Sequence, residues 1–261
     1  LKSHDSKRPW LDVVATKWVI RLADGIIVHS AAAKQDILDT FRVNSSSKLF
    51  VIPHANYIGQ YPNTITQADA RAQLSIAPSE FVFLFFGLIR AYKGVPDILD
   101  AYRQLSGDAT LRLLIAGAAK DTVLLEQIQH YAESNPTITL DVRFIPDEEV
   151  QVYMNASDVV LLPYRQFLTS GAVLLAMSFA RACIAPRQGC IPELLDDDDA
   201  FLYDPAQPDG LLNAMQTALE QRGRVTQMGQ HNYTKAQQWS WEWVAQRTQD
   251  VYEKCLQWGE P

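Results

Sequence analysis

The 261-residue sequence predicts an α/β fold built on a doubly wound parallel sheet, and three observations carry that expectation. Short apolar runs rich in β-branched and aromatic residues alternate with longer amphipathic segments, the rhythm of strand, crossover helix and parallel strand. The runs lack the alternation of half-exposed strands, so they belong inside a sheet covered on both faces. No repeat at solenoid or propeller periods competes with this reading.

Composition narrows the function classes. Apolar residues make up 48% of the chain, enough to bury a real core. The net charge is -7 and the 23 Lys and Arg are dispersed without a basic block, which argues against a nucleic-acid groove or a broad anionic-membrane footprint. Cys183, Cys190 and Cys255 are odd in number and lack metal spacing, which fits a reducing, cytoplasmic setting better than a disulfide framework. The apolar runs are too short to span a membrane, and no amphipathic basic helix stands out. The opening Leu1-Lys2-Ser3-His4-Asp5 is neither a signal peptide nor an initiator start, so the expectation is a chain that begins within a longer protein.

In chain order, the pattern predicts a helix over Pro9–Ala23, a strand over Gly25–His29, a helix capped by Ser30 and running to Phe41, and a strand over Lys48–Ile52. These form an incomplete sheet. The stretch Pro53–Thr66 is rich in Asn, Pro, Gly and Tyr without a period and reads as a linker. Buried strands follow at Phe81–Gly87, Leu111–Gly117, Thr139–Ile145, Val159–Pro163 and Cys183–Pro186. Helices lie between them at Gly94–Leu105, where Val95, Ile98, Leu99, Tyr102 and Leu105 share a face, and at Asp121–Ser134, Asp147–Ala156 and Gly171–Ala180. The chain after Tyr203 is mainly helical, with Pro208–Gln221 and Trp241–Trp258 the clearest segments.

Two strand ends carry chemistry. At the first, Gly87 is followed by Arg90 and Lys93 before a helix, and open α/β sheets bind ligands at such carboxyl ends. Gly87 allows close backbone approach, and the two cations suit a leaving diphosphate. The competing reading is a pair of solvated cations in a loop. At the second, Thr169, Ser170, Gly171 and Ala172 open a helix whose free N–H groups and dipole suit a phosphate. An ordinary helix cap is the alternative there.

From about Leu22 to Trp258 the chain resembles a retaining GT-B glycosyltransferase of family 4, whose halves are both Rossmann-like. Six stations recur in order: Asp24–Ser30, Val51–Asn56, Gly87–Gly94, Leu113–Gly117, Ala156–Tyr164 and Ile184–Glu193. The resemblance implies a nucleotide-sugar donor on the C-terminal half, with Arg90 and Lys93 on its diphosphate, Ser170 and Gly171 beside it, and Arg143 and Ile145 in the segment that cradles the base. It implies no cofactor and no metal ion, and a glycan or glycolipid acceptor, with peripheral membrane association left open. It also implies a division into residues 1–53, a remnant of the acceptor-side domain; 54–66, the linker; 67–240, the donor-binding domain; and 241–261, a helix packing back on the N-terminal part. Such a fragment is expected to show weak or no activity alone.

The sequence departs from the family at its two signature glutamates, whose positions fall on Phe167 and Leu175. Either Thr169 and Ser170 take over polar contacts to the donor or donor binding is lost. The leading expectation is a hexosyl transfer enzyme; the alternative is a binding or regulatory protein on the same scaffold. His29, His54 and Glu193 are further candidates for contacts in the cleft, each with a purely structural role as its alternative. The acidic run Asp196–Asp199 lacks the spacing of a calcium loop and reads as solvated, and Trp239, Trp241, Trp243 and Trp258 read as helix-packing anchors.

Overall fold

The computed structural model describes residues 9–42, 47–105, 110–165 and 171–258. The chain divides into two compact units, residues 1–55 with 239–261, and residues 56–238. The smaller unit opens with α1 (Pro9–Leu22), β1 (Ile26–Val28), α2 (Ala31–Phe41) and β2 (Leu49–Val51). The two strands pair in parallel, Ile26 opposite Leu49 and Val28 opposite Val51. Ser30 has the extended backbone of a cap, and its hydroxyl accepts a 3.0 Å bond from the Ala33 amide, which starts α2. Lys48 answers the last carbonyls of α1, its ammonium donating to those of Ile20, Arg21 and Ala23. Ile20, Val28, Ile37, Phe41 and Leu49 close this unit's core.

The larger unit starts with α3 (Gln67–Gln73), held by a capping box in which Thr66 accepts from the Asp69 amide and Asp69 accepts in return from the Thr66 amide. It continues with β3 (Phe81–Phe86), α4 (Val95–Leu105), β4 (Leu111–Ala116), α5 (Thr122–Glu133), β5 (Ile138–Asp141), α6 (Val150–Ala156), β6 (Val159–Leu161), α7 (Gly171–Ser178), β7 (Ala182–Pro186), α8 (Ile191–Leu194), β8 (Ala200–Tyr203), α9 (Gly210–Glu220) and α10 (Val225–Ala236). All six strands are parallel in the order β5-β4-β3-β6-β7-β8. Counted from the unit's first strand this is the doubly wound order 3-2-1-4-5-6. Val82, Phe83, Leu84 and Phe85 are all fully buried, as a strand covered on both faces requires. The winding reverses between β3 and β6, so their carboxyl ends flank the crevice where such sheets take ligands.

Several elements differ from the sequence expectation for local reasons. β5 stops at Asp141 rather than Ile145, because the Asp141 carboxylate accepts from Arg143 Nε and from the Tyr153 hydroxyl and turns the chain out of the ladder. The helix expected from Asp147 begins as a single tight turn, Asp147–Glu149, before α6. α7 ends at Ser178 because Ala180 is left-handed, with φ 53. The stretch expected to be a linker is tied to the larger unit from Asn56 onward: Asn56 donates to the Ala236 carbonyl at 2.8 Å, the Tyr57 amide to Ser178 Oγ at 2.9 Å and the Thr64 amide to Gln151 Oε1 at 2.8 Å.

The last helix, α11 (Trp241–Trp258), belongs with the smaller unit. Gly25 is required there, since a Cβ at that position would lie 2.6 Å from Cys255 Sγ. Trp241 is exposed rather than a core anchor, and Trp243 lies half-buried with Arg247 over its ring. The acidic run is not solvated throughout. Asp199 is fully buried because it leads into β8, and it binds Lys235 at 2.8 Å.

Candidate functional site

The site is built where β3 and β6 end. Gly87 follows β3 with φ 121, and its amide donates to the Ala116 carbonyl at 2.9 Å. A Cβ on Gly87 would lie 3.3 Å from the Lys93 ammonium, so the missing side chain makes room for that cation. Ile89 then anchors the loop, being buried and donating to the Ala118 carbonyl. One tight turn, Ala91–Lys93, ends at the left-handed Gly94 (φ 72), where a Cβ would meet the Pro163 carbonyl oxygen at 2.4 Å. The β3 loop is therefore pressed against the loop after β6. The Arg165 amide donates to the Tyr92 carbonyl at 2.9 Å, Gln188 donates to the Tyr164 carbonyl at 2.8 Å, and Arg165 pairs with Asp97 at 2.8 Å.

Lys93 is held in this corner by an aromatic ring instead of a carboxylate. Its Nζ lies 4.9 Å from the centroid of Tyr164, close enough for a cation–π contact. Burial, and then the like charge of Arg90, pull its pKa down to about 8, and among the described residues no acidic side chain contributes to that balance. A half-buried ammonium beside a second cation, at the reversal point of the sheet, is poised to take an anion.

The amino end of α7 follows Tyr164 along the same chain. Gly171 and Ala172 form its first turn, and the Tyr57 hydroxyl fits against Gly171, 2.9 Å from where a Cβ would stand. Burial, and then neighbouring Tyr61, raise the Tyr57 pKa, so this phenol stays a neutral donor. A separate cavity of about 680 Å³ is lined by Tyr164, Arg165, Gln188 and Tyr203 but not by Lys93. Asp97, Asp100 and Asp209 make its lining acidic, which disfavours a diphosphate there.

Residues 80–221, more than half the chain, match the family model described as glycosyl transferases group 1. The chain belongs to that family. Among relatives, it is 30% identical over 157 residues to a GDP-mannose:glycolipid 4-beta-D-mannosyltransferase of Xanthomonas campestris pv. campestris, a match covering 58% of this chain and 45% of the relative. It is 24% identical over 242 residues to a D-inositol 3-phosphate glycosyltransferase of Corynebacterium aurimucosum, covering 90% of this chain and 58% of the relative. The matched region thus spans about half the length of these relatives. Two solved structures share the fold. Sucrose-phosphate synthase from Thermosynechococcus elongatus aligns with a TM-score of 0.82 at 21% identity, covering 98% of this chain and 64% of that one. Anabaena HepE in complex with UDP and glucose aligns with a TM-score of 0.80 at 20% identity, covering 92% and 66%.

Within the family's pattern, the predicted residues fall into groups. Gly87, Arg90 and Lys93 come together at the end of β3 as described, and Gly171 and Ala172 open α7. Thr169, Ser170 and Phe167 lie outside the described residues. Leu175, which the resemblance sets at the second glutamate position, is buried within α7. Arg143 is not held ready for a base. Its guanidinium is shared among Asp141, Glu149 and the Tyr153 hydroxyl, and the bond to Glu149 leads the causes that raise its pKa. Ile145 is buried, which leaves only its backbone to meet a ligand. His29 Nδ1 donates to the Ile52 carbonyl at 3.0 Å, and His54 Nδ1 sits 2.7 Å from the Ala55 carbonyl; the two rings meet edge to face at 5.7 Å within the smaller unit. Glu193 lies exposed in the first turn of α8. Tyr164 and Tyr57 escaped the sequence reading, although Tyr164 ends the apolar run of β6 and faces the loop of the basic pair.

Proposed function

We propose that this chain carries the donor site of a glycosyltransferase that moves a sugar from a nucleoside diphosphate to a hydroxyl acceptor, with retention and without a metal ion. The observation that carries the reading is Lys93: an ammonium with its pKa drawn down to about 8, beside Arg90, at the reversal point of the sheet. As the bond between C1 of the sugar and the phosphate oxygen breaks, charge gathers on the diphosphate, and Lys93 and Arg90 stabilise it there. The amino end of α7 at Gly171 adds its dipole. The acceptor oxygen forms its bond to C1 on the face the diphosphate leaves, and its proton passes to the departing phosphate oxygen, so no protein nucleophile is used. The cations supply the neutralisation that a metal ion supplies elsewhere.

The relatives support a nucleoside diphosphate ligand, one being named for GDP-mannose and one solved with UDP. A glycan or glycolipid acceptor, met by the smaller unit at the cytoplasmic face of a membrane, completes the reading. The test is sugar release and transfer from UDP-glucose and GDP-mannose. Lys93→Ala is expected to lower turnover by about a hundredfold or more; undiminished turnover rejects the assignment. The buried Leu175 favours a second reading, a nucleotide-sugar-binding or regulatory protein without turnover. Saturable binding of UDP or GDP with neither hydrolysis nor transfer would select it.

A further inference from the structure

The segment from Tyr57 to Gln67 forms, with α7 and α10, a trough that the donor reading does not use. Two cavities of about 320 and 290 Å³ share Asn63, Phe179 and Tyr233 as walls, so they are neighbouring compartments of one trough. Together they have the size of a small-molecule site. Every lining residue belongs to the larger unit, and Lys93 is not among them. Phe179 and Ala180 lead from α7 into β7, and Asn155 stands at the end of α6 just before β6, so the trough lies toward the amino ends of these strands. The crevice that takes ligands in such sheets is at their carboxyl ends.

We infer that this trough binds a neutral oligosaccharide. The chemistry of its walls decides the class. One compartment is aromatic: Tyr57 and Tyr61 are half-buried with ring centroids 5.7 Å apart, and half-buried Tyr233 and buried Phe179 complete it. The C–H face of a sugar ring is apolar and packs on such rings, while a phenol at the ring edge reaches the hydroxyls. The other compartment is lined by carboxamides. Gln67 and Gln230 are exposed, and buried Asn155 donates to Asn63 Oδ1 at 2.8 Å and to the Ile65 carbonyl at 3.0 Å, which fixes that pair of amides. A carboxamide offers donor and acceptor side by side, the pattern that adjacent sugar hydroxyls answer. Arg181 is the only charged side chain in either lining among the described residues, and its Nε and Nη1 already donate to the Phe179 and Ser157 carbonyls at 2.7 and 2.9 Å. Rings and amides with that one charge engaged suit a polyol better than an ion. The inference rests on the trough and stands whether or not sugar transfer does. Where transfer occurs, a glycan held here is kept near the crevice at raised local concentration.

The experiment is an NMR titration of the isotope-labelled full chain with maltohexaose, cellohexaose and mannohexaose in turn. Saturable shifts are expected for at least one of them at millimolar concentration or below, grouped on residues 57–67, 178–181 and 230–233. Tyr61→Ala and Tyr233→Ala are each expected to lower that affinity by about tenfold, and Asn63→Ala by about threefold. Tyr61→Phe keeps the ring and should lose less than Tyr61→Ala. Lys93→Met should leave oligosaccharide affinity unchanged, because the crevice takes no part. An unchanged circular dichroism spectrum verifies that each variant is folded. Absence of shifts with all three sugars overturns the inference. So do shifts confined to the crevice at Lys93 and Gly171, or equal affinity in the parent and both tyrosine-to-alanine variants. Tighter binding of hexagalacturonate would give the trough to an acidic glycan and overturn it too. Nucleotide titration decides the donor reading separately, so either can fail alone.

Discussion

Lys93 and Lys235 belong to the same unit and both surrender part of their hydration, yet their surroundings treat them in opposite ways. Burial alone would lower the pKa of Lys235, but its bonds to Asp199 at 2.8 Å and Asp196 at 3.1 Å outweigh burial and raise it. Lys93 receives no carboxylate among the described residues; burial and Arg90 act together and take it to about 8. The first cation is answered within the fold, tying α10 to the turn before β8. In the proposed reading the second is left for a ligand to answer. Unbalanced charge at the crevice of a doubly wound sheet is thus the feature that separates function from architecture in this unit.

The comparison makes opposite predictions for stability and binding. Asp199→Ala leaves Lys235 and His231, whose Nδ1 lies 2.7 Å from Asp199, facing an empty buried site. It is expected to cost about 3 kcal/mol in denaturant unfolding while sparing UDP and GDP affinity; a small loss would show that Asp196 suffices for Lys235. Lys93→Met should do the reverse, lowering nucleoside diphosphate affinity by about tenfold to a hundredfold and leaving the melting temperature unchanged or raised. A melting temperature that falls by several degrees would make Lys93 architectural after all.

Gly94→Ala attacks the loop that presents Lys93. A left-handed backbone and a Cβ 2.4 Å from the Pro163 carbonyl oxygen together should cost about 2 kcal/mol and displace Lys93 from Tyr164, seen as lost affinity in the same titration. The pH dependence sharpens the point. Lys93 is depressed in the fold, from 10.5 to about 8, so between these values the unfolded chain binds more protons and this group adds stability as pH rises. Binding runs the other way, because the diphosphate needs the ammonium: affinity should fall as pH passes about 8. Lys93→Arg should remove that fall, since guanidinium stays charged. The smallest effect is expected from Gly171→Ala, whose Cβ would crowd the Tyr57 hydroxyl at 2.9 Å, at a cost of about 1 kcal/mol that Tyr57→Phe should largely relieve.

What the sequence revealed follows from the same distinction between local pattern and distant pairing. β3, β4, β6 and β7 were legible because strands buried on both faces are unbroken apolar runs. β8 was missed because its four residues, half-buried at the sheet's edge, follow an acidic run, and α10 was not delimited within the helical tail because VTQMGQHNYTKA is polar around most of its circumference. The basic pair was legible by position after a strand ending in Gly87. Its defining property was not, since the lack of a carboxylate near Lys93 among the described residues is a fact of three dimensions. Asp199 and Lys235 lie 36 residues apart, and no spacing rule joins them. The engagement of Arg143 by Asp141 and Glu149 was likewise invisible, although all three lie within a short stretch, because side-chain direction at a strand end depends on where the ladder stops.

The central claim is that Lys93 is held uncompensated for the diphosphate of a nucleotide sugar. Calorimetric titration of UDP and GDP into the parent chain and into Lys93→Met, with EDTA present throughout, tests it most directly. Saturable binding of at least one nucleotide by the parent, reduced by tenfold or more in the variant, is the predicted result. Equal affinity in parent and variant, or binding that appears only when a divalent cation replaces EDTA, would contradict it.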